Sequence, residues 1–369
     1  MALQDEEYIA ESRDPTPEPQ GDLPPEQVSP SHPVRHTPSH STNGFPSSDP
    51  QKHDRVPDMQ LGRAKFVRLH DNVNYVAAAL ILRGEGVDTE ILLIQEAKKS
   101  CYEKWYLPAG RVEAGETLIE SVHREVMEEA GYSVEVNELL SLQVQGSGWY
   151  RFSYTATVIG GTLKTHSDKE SLQAQWFKVS DVTSKKPSIK LRGRDFLKLV
   201  DEAMVYRTAK RFVNVPPVLP INEPHAGLFI EFMICKYSMD NSRVDVLVHK
   251  SIGSEQEMVA HDQPFPTCEF GFEYFFAMVI SKCYRHLLDE GPNVLFIPSH
   301  VVRIRCAPTP MESIAHGLKV RLFCEHKKSA GKAPIRSPSR YHWLSIYDPE
   351  IRRAFHMEKD QYKPSLYLL

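Results

Sequence analysis

Five charged residues, Glu116, Arg124, Glu125, Glu128 and Glu129, stand between Gly110 and Gly131 in the stretch GRVEAGETLIESVHREVMEEAGY. The spacing predicts a helix over 117–130, which sets Glu125 three and four residues before Glu128 and Glu129, so the three carboxylates share one face. Like charges at that spacing destabilise an isolated helix by about 0.2–0.5 kcal/mol per pair. Arg124 relieves part of this by reaching Glu120 or Glu128. Cations relieve the rest, because carboxylate oxygens are hard ligands suited to Mg²⁺ or Mn²⁺, ions that clamp substrate phosphates.

The elements around these residues must hold them in place. Gly115 and Glu116 read as a turn that leaves Glu116 near the positive end of the helix. Gly131 suits a left-handed C-terminal cap. Leu107-Pro108-Ala109-Gly110 supplies a rigid turn and a residue whose backbone can approach a ligand closely. Upstream, Val73 to Arg83 and Glu90 to Lys98 are apolar, β-branched runs that read as a strand pair. Val134 to Gln145 and Trp149 to Ile159 read as a hairpin, Gln175 to Val179 as a short strand, and Asp195 to Lys210 as a helix. Leu92 or Leu93, on the strand before the turn, is expected to face a ligand. Arg111, next to Gly110, and the aromatic rings of Trp149 and Phe152 are further candidates to contact the same ligand.

The rest of the chain is a different material at either end. Residues 1–60 hold eleven of the 27 prolines, the last of them Pro57, and too few large apolar residues to offset ordering entropy. They read as a disordered tail, with Thr16-Pro17, Ser29-Pro30 and Thr37-Pro38 as dipeptides open to proline-directed phosphorylation. Residues 62–210 read as the catalytic domain and 211–224 as a proline-rich linker. A second α+β domain is expected over 225–350, followed by a tail over 351–369. In that second domain Leu228–Tyr237 and Val244–His249 resemble a strand pair, Phe270–Leu288 a helix, and Val294–Arg305 and Leu318–Cys324 two more strands. The segment 341–348 echoes 175–181. No carboxylate cluster accompanies the second set, which is either a metal-free repeat of the first domain or an unrelated α+β domain. The loop His326 to Arg340 is basic and reads as a solvated surface.

Composition narrows the partners. A net charge of −4 gives no field that favours nucleic acid or an anionic membrane, so neither is expected. Six cysteines without a C-x-x-C pair suggest buried thiols in a reducing compartment, the cytoplasm or also the nucleus. The first thirty residues hold no apolar run that reads as a secretory leader, and the longest apolar runs are too short to span a bilayer. Protein partners of the tail and the second domain are left open.

The charged stretch resembles the Nudix box through Gly110, Glu116, Arg124, Glu125, Val126, Glu128, Glu129 and Gly131, with Tyr132 where the family carries an aliphatic residue. The resemblance spans about residues 66–207 and implies an α/β/α sandwich with a mixed sheet, in an α/β (α+β) protein. It further implies metal-dependent hydrolysis of a diphosphate linked to another group, usually a nucleoside. Glu125 and Glu129 are then expected to bind Mg²⁺ or Mn²⁺, with Glu128 as a third ligand or base and the Gly110 carbonyl completing the set. Glu116 and Arg124 are expected to orient helix and loop from behind. Glu170, six residues before Trp176, is a candidate base on a loop outside the box, although Gln173 stands where the family often has a nearer glutamate. The runs ILLIQEAKKS, GGTLK and ESLQAQW are similar to the animal 8-oxo-dGDP phosphatase branch, which implies oxidised guanine nucleoside diphosphates as substrates. Tyr150 lies where dinucleoside polyphosphate hydrolases carry a tyrosine, which keeps that substrate class open. A nucleotide-binding sensor or scaffold with vestigial activity is the alternative of a different kind.

Overall fold

The computed structural model describes residues 58–64, 66–209, 212–213, 215–223, 227–289, 298–306, 316–325 and 334–369. The proline-directed dipeptides of the tail and Lys327, Lys328 and Lys332 of the basic loop lie outside these residues. In chain order the elements are β1 (Met59–Leu61), β2 (Asn74–Arg83), β3 (Glu90–Glu96), β4 (Trp105–Tyr106), β5 (Ala109–Arg111) and α1 (Leu118–Ala130). There follow β6 (Tyr132–Gln145), β7 (Trp149–Gly161), β8 (Ser171–Lys178), α2 (Val179–Thr183), α3 (Leu197–Thr208) and β9 (Pro220–Ile221). The second half holds β10 (Leu228–Tyr237), β11 (Val244–His249), α4 (Glu255–Ala260), β12 (Thr267–Phe270) and α5 (Phe276–Leu287). It ends with β13 (Pro298–Arg305), β14 (Leu318–Glu325), β15 (Tyr341–Ile346), α6 (Pro349–Ala354) and β16 (Ser365–Leu368). No helix among the described residues is long and apolar enough to cross a membrane.

In the first half β2 is the hub. It runs parallel to β7 and antiparallel to β3 and β5. β6 pairs antiparallel with β7, and β8 with β3. Helix α1 links β5 to β6 and covers one face, with Leu118, Val122 and Val126 packed on Ala77, Ala79 and Leu92. Helix α3 covers the other face through Leu199, Val200 and Ala203 against Leu80, Ile91 and Leu93. This is the helix–sheet–helix layering that the apolar alternation of the strands demands, since both sheet faces must be buried.

The same order of pairings occurs a second time. β10 runs parallel to β14 and antiparallel to β11 and β12. β13 pairs antiparallel with β14, and β15 with β11. Helix α5 links β12 to β13. The residues 270–288, expected to be one helix, divide because Phe270 ends β12 and a turn over 271–275 precedes α5.

Three segments read as unstructured contribute strands or buried residues. β1, which overlaps the end of the expected tail, lies parallel to β12. In the expected linker, Val218 is buried and its carbonyl accepts the Leu139 N–H at 3.0 Å, while β9 pairs with β13. At the C-terminus β16 sits between β6 and β13 and joins both halves into one hydrogen-bonded sheet. Each of these is only two to four residues long and pairs with a strand far away in sequence, so no local periodicity announces it. In the basic loop, Arg336 binds Asp289 and Arg340 binds Asp58, each at 3.0 Å.

Candidate active site

Local chemistry shapes both ends of α1. Thr117 accepts the Glu120 N–H at 3.0 Å while Glu120 accepts the Thr117 N–H at 2.8 Å, a reciprocal capping box. At the far end Gly131 takes φ 76°, and a Cβ there would stand 2.3 Å from the Thr162 carbonyl oxygen. The helix therefore starts and stops where its carboxylates need it to.

Arg124 is the organiser of the acidic face. Its guanidinium donates to Glu116 at 2.7 and 3.0 Å, to Glu125 at 2.7 Å, to Glu128 at 3.2 Å and to the Arg111 carbonyl at 3.0 Å. Glu116, foremost among these partners, holds the guanidinium above its usual range. Glu116 also accepts the Glu113 N–H at 3.0 Å, which ties the loop to the helix. The loop–helix angle thus rests on a bidentate pair between two partly buried groups, the stronger kind of ion pair.

Glu125 and Glu129 point inward. Both are buried, and burial raises the carboxyl pKa of each. Glu129 is pushed up to about 8, with the Ala109 N–H bond and Lys98 opposing the rise and Glu125 and Glu96 adding to it. Two desolvated carboxylates one helical turn apart are a costly arrangement unless a cation joins them. Glu128, in contrast, is exposed. Arg124 holds both Glu125 and Glu128, so no set of three donors is preassembled around one point among the described residues.

Gly110 contributes by what it lacks. A Cβ at this position would lie 1.9 Å from the Glu125 Oε1, so any side chain would evict the carboxylate. Its carbonyl, expected to join the metal set, is directed elsewhere. The Ala79 N–H bonds the Pro108 carbonyl and the Val112 N–H bonds the Tyr75 carbonyl, each at 2.9 Å. Bonded pairs alternate along an antiparallel ladder, which makes Ala77 and Gly110 the bonded pair between them. Gly110 thus turns its N–H and carbonyl to β2, whereas Ala109 and Arg111 turn theirs to α1. The Ala109 N–H indeed donates to Glu129 at 2.9 Å. The backbone oxygen on the carboxylate side belongs to Ala109.

The other expected residues fall in different places. Leu92 and Leu93 are both fully buried, on opposite faces of the sheet, where helices cover them. Phe152 is fully buried, edge-on to Tyr75 with ring centroids 5.8 Å apart, and has no open face for a base. Trp149 is half-buried at the foot of β7, opposite Asn74. Arg111 is exposed on β5 beside the helix. Glu170 is half-buried on a loop anchored to the last turn of α1, where Lys164 donates to the Glu128 carbonyl and Ser171 to the Glu129 carbonyl, each at 2.7 Å. Lys164 also binds Asp168 at 2.6 Å and holds that carboxyl down to about 2.

One residue near the carboxylates escaped sequence reasoning. Glu96, at the end of β3, is 1% exposed, takes Arg192 at 2.6 Å on Oε1 and leaves Oε2 without a partner. Its charge reaches Glu129. Alternation along β3 was the available signal, since Leu92, Ile94 and Glu96 share a face. A cavity of about 400 Å³ bounded by Glu138, Tyr206, Pro217, His356 and Tyr362 lies apart from all these carboxylates.

Known proteins resemble this chain over the stretch that carries the site. The NUDIX domain profile matches residues 73–200, which contain α1 and its loop. A Caenorhabditis elegans protein named "Putative nudix hydrolase 1" is 59% identical over 374 residues, covering 100% of this chain and 99% of its own length. Proteins named 8-oxo-dGDP phosphatase NUDT18 are similar over about half of their length. The Homo sapiens one is 45% identical over 43% of this chain and 46% of its own length. The Danio rerio one is 39% identical over 47% of this chain and 52% of its own. With likeness to the C. elegans protein running from end to end, and the family's domain lying over the carboxylate helix, the chain belongs to the Nudix hydrolase family.

Proposed function

We propose that the chain hydrolyses nucleoside diphosphates carrying oxidised guanine, releasing the monophosphate and phosphate with the help of Mg²⁺ or Mn²⁺. The observation that carries the reaction is the pair of buried carboxylates one turn apart on α1, Glu125 against Gly110 and Glu129 on the Ala109 N–H. Their hard oxygens and their desolvation fit a dication. Glu125 and Glu129 would hold it, joined by Glu128 and the Ala109 carbonyl in place of Gly110. When bound, such an ion neutralises the diphosphate and polarises the attacking water.

The protein supplies the rest. Arg124 and Glu116 fix the loop against the helix so that both donor sets keep one geometry. Glu170 sits on a loop clamped to the carboxylate end of α1, a suitable place for a base that takes a proton from water. Arg111 is exposed beside the loop and is assigned to a substrate phosphate. The choice of oxidised guanine rests on the names of the human and zebrafish relatives. Tyr150 does not favour dinucleoside polyphosphates, because it is fully buried and donates to the Ser147 carbonyl at 2.7 Å.

A phosphate-release screen over oxidised and unmodified nucleoside di- and triphosphates, with chelator, Mg²⁺ or Mn²⁺, tests this reading. The expected result is metal-dependent turnover greatest for the oxidised guanine diphosphate. Tight nucleotide binding with no turnover in either metal would instead establish a sensor.

A further inference from the structure

The two halves match beyond their strand order. Ala77 pairs with Gly110 across β2 and β5, and Ile230 pairs with Cys268 across β10 and β12. Counting forward from Gly110 and from Cys268, the helix caps fall at the same step, Thr117 and Phe275. The inward positions of α1, namely Leu118, Ser121, Val122, Glu125, Val126 and Glu129, then fall on Phe276, Val279, Ile280, Cys283, Tyr284 and Leu287. Every one of these is buried, without a gap in either count. Even the helix that follows the last strand recurs, α2 after β8 and α6 after β15.

The chemistry at the matched positions has been replaced. Arg124, Glu125, Glu128 and Glu129 correspond to Lys282, Cys283, His286 and Leu287. Gly110, whose missing Cβ makes room for Glu125, corresponds to Cys268, and Cys268 and Cys283 are buried in the same core, close enough for their thiols to interact. A small side chain on the helix has let the strand position grow. That is a compensating exchange at a contact, not a random difference.

The halves also meet near the start of each of these helices. The tip of the β6–β7 hairpin meets the start of α5: the Gly146 carbonyl accepts the Phe276 N–H at 2.9 Å, and Ser147 donates to the Phe272 carbonyl at 3.3 Å. Conversely, Cys306 and His316, at the ends of β13 and β14, line a small cavity with Glu116, Thr117 and Leu118 at the start of α1. The Tyr75 hydroxyl donates to the His316 carbonyl at 2.9 Å, and the His316 N–H to the Val67 carbonyl at 2.8 Å. One hydrophobic core contains both helices.

We propose that residues 227–346 are a second copy of the same fold, emptied of its metal carboxylates, which occupies the place a partner subunit would take against the catalytic half. The chain is thus an internal dimer with one reactive site. Its hairpin supplies a wall to the loop before α1, and the hairpin of the catalytic half plugs the start of α5 where a ligand would enter the second copy. The inference holds whichever nucleotide the first half hydrolyses.

Double-mutant cycles on the full chain test it, read as thermal unfolding midpoints and soluble yield. Cys283→Glu alone should drive a carboxylate into the Cys268 side chain and lower the midpoint strongly or abolish soluble protein. Adding Cys268→Gly should restore much of the loss. Gly110→Cys should be similarly damaging and partly rescued by Glu125→Cys. Sedimentation of the wild type should give a monomer at micromolar concentration. Additive losses in both cycles would overturn the equivalence of the two copies. A stable dimer would overturn the partner-subunit role.

Discussion

Glu129→Gln should remove turnover while making the metal-free protein more stable. The side chain is 2% exposed and accepts the Ala109 N–H, a bond that a glutamine oxygen can also accept. Losing one ligand to a catalytic cation forfeits several kcal/mol of transition-state stabilisation, a fall of about 10²–10⁴ in rate. The stability change has the opposite sign. Burial, the main cause, lifts the Glu129 carboxyl from 4.5 to about 8. An acid whose folded pKa lies above its unfolded value carries no penalty below the unfolded pKa, and the fold loses stability as pH rises towards the folded one. In chelator the loss therefore begins near pH 4.5 and is complete above about pH 8, on the order of 3–5 kcal/mol. Glutamine has no proton to lose, so the variant should unfold at a higher midpoint than wild type at pH 8, and the gap should close by about pH 4.5. Mg²⁺ should raise the wild-type midpoint and leave the variant's unchanged. Wild-type turnover in the variant, or equal midpoints in chelator at pH 8, would remove Glu129 from the metal set.

How much of this was legible depended on how local the signal was. The carboxylate helix was, because charge clustering, a glycine-bearing turn at its start and a terminal glycine all fall within one short window. The strand pair β2–β3 and the hairpin β6–β7 were legible for the same reason, from apolar runs separated by glycine turns. The backbone oxygen beside the carboxylates was not. Whether Gly110 or Ala109 offers its carbonyl to the helix depends on which residue of β5 is bonded to β2, and a shift of one residue reverses the answer. The ligand-facing residues failed for a related reason. Alternation tells that Leu92 and Leu93 face opposite ways, but here both ways are covered, by α1 and by α3. The residue of β3 that does approach the carboxylates, Glu96, lies inside the run Glu90 to Lys98, and nothing local to it marks a buried charge. Phe152 read as a stacking ring, yet Tyr75 from the neighbouring strand takes its edge. The second half was legible as a run of elements but not as an anchored body, since the strands that tie it to the first are β9 and β16.

Removing residues 363–369 should destabilise the whole chain far more than the loss of a tail. Ser365 to Leu368 pair in parallel with Ser141 to Val144, the Leu369 N–H donates to the Val144 carbonyl at 2.9 Å, and the Val301 N–H donates to the Pro364 carbonyl at 2.9 Å. Tyr367 also binds Glu202 on α3, and Leu366 packs against the main core. Without this strand, β6 and β13 become facing edges with nothing between them. Each lost backbone bond contributes about 1 kcal/mol, and the bared carbonyls and N–H groups of buried strands add a desolvation cost. The sum is on the order of 4–6 kcal/mol, a large part of the stability of an ordinary domain. Unpaired edges of this kind also template aggregation. The truncated chain should therefore unfold at much lower urea than wild type and aggregate on standing. Amides of residues 140–144 should exchange far faster, whereas those of α1 should lose protection only as far as global stability falls. An unchanged urea midpoint would mean that β16 merely rests on the sheet. The expected collapse would instead establish that the catalytic half depends on the end of the chain, because the strand next to its carboxylate helix, β6, takes its outer strand partner among the described residues from those last few residues.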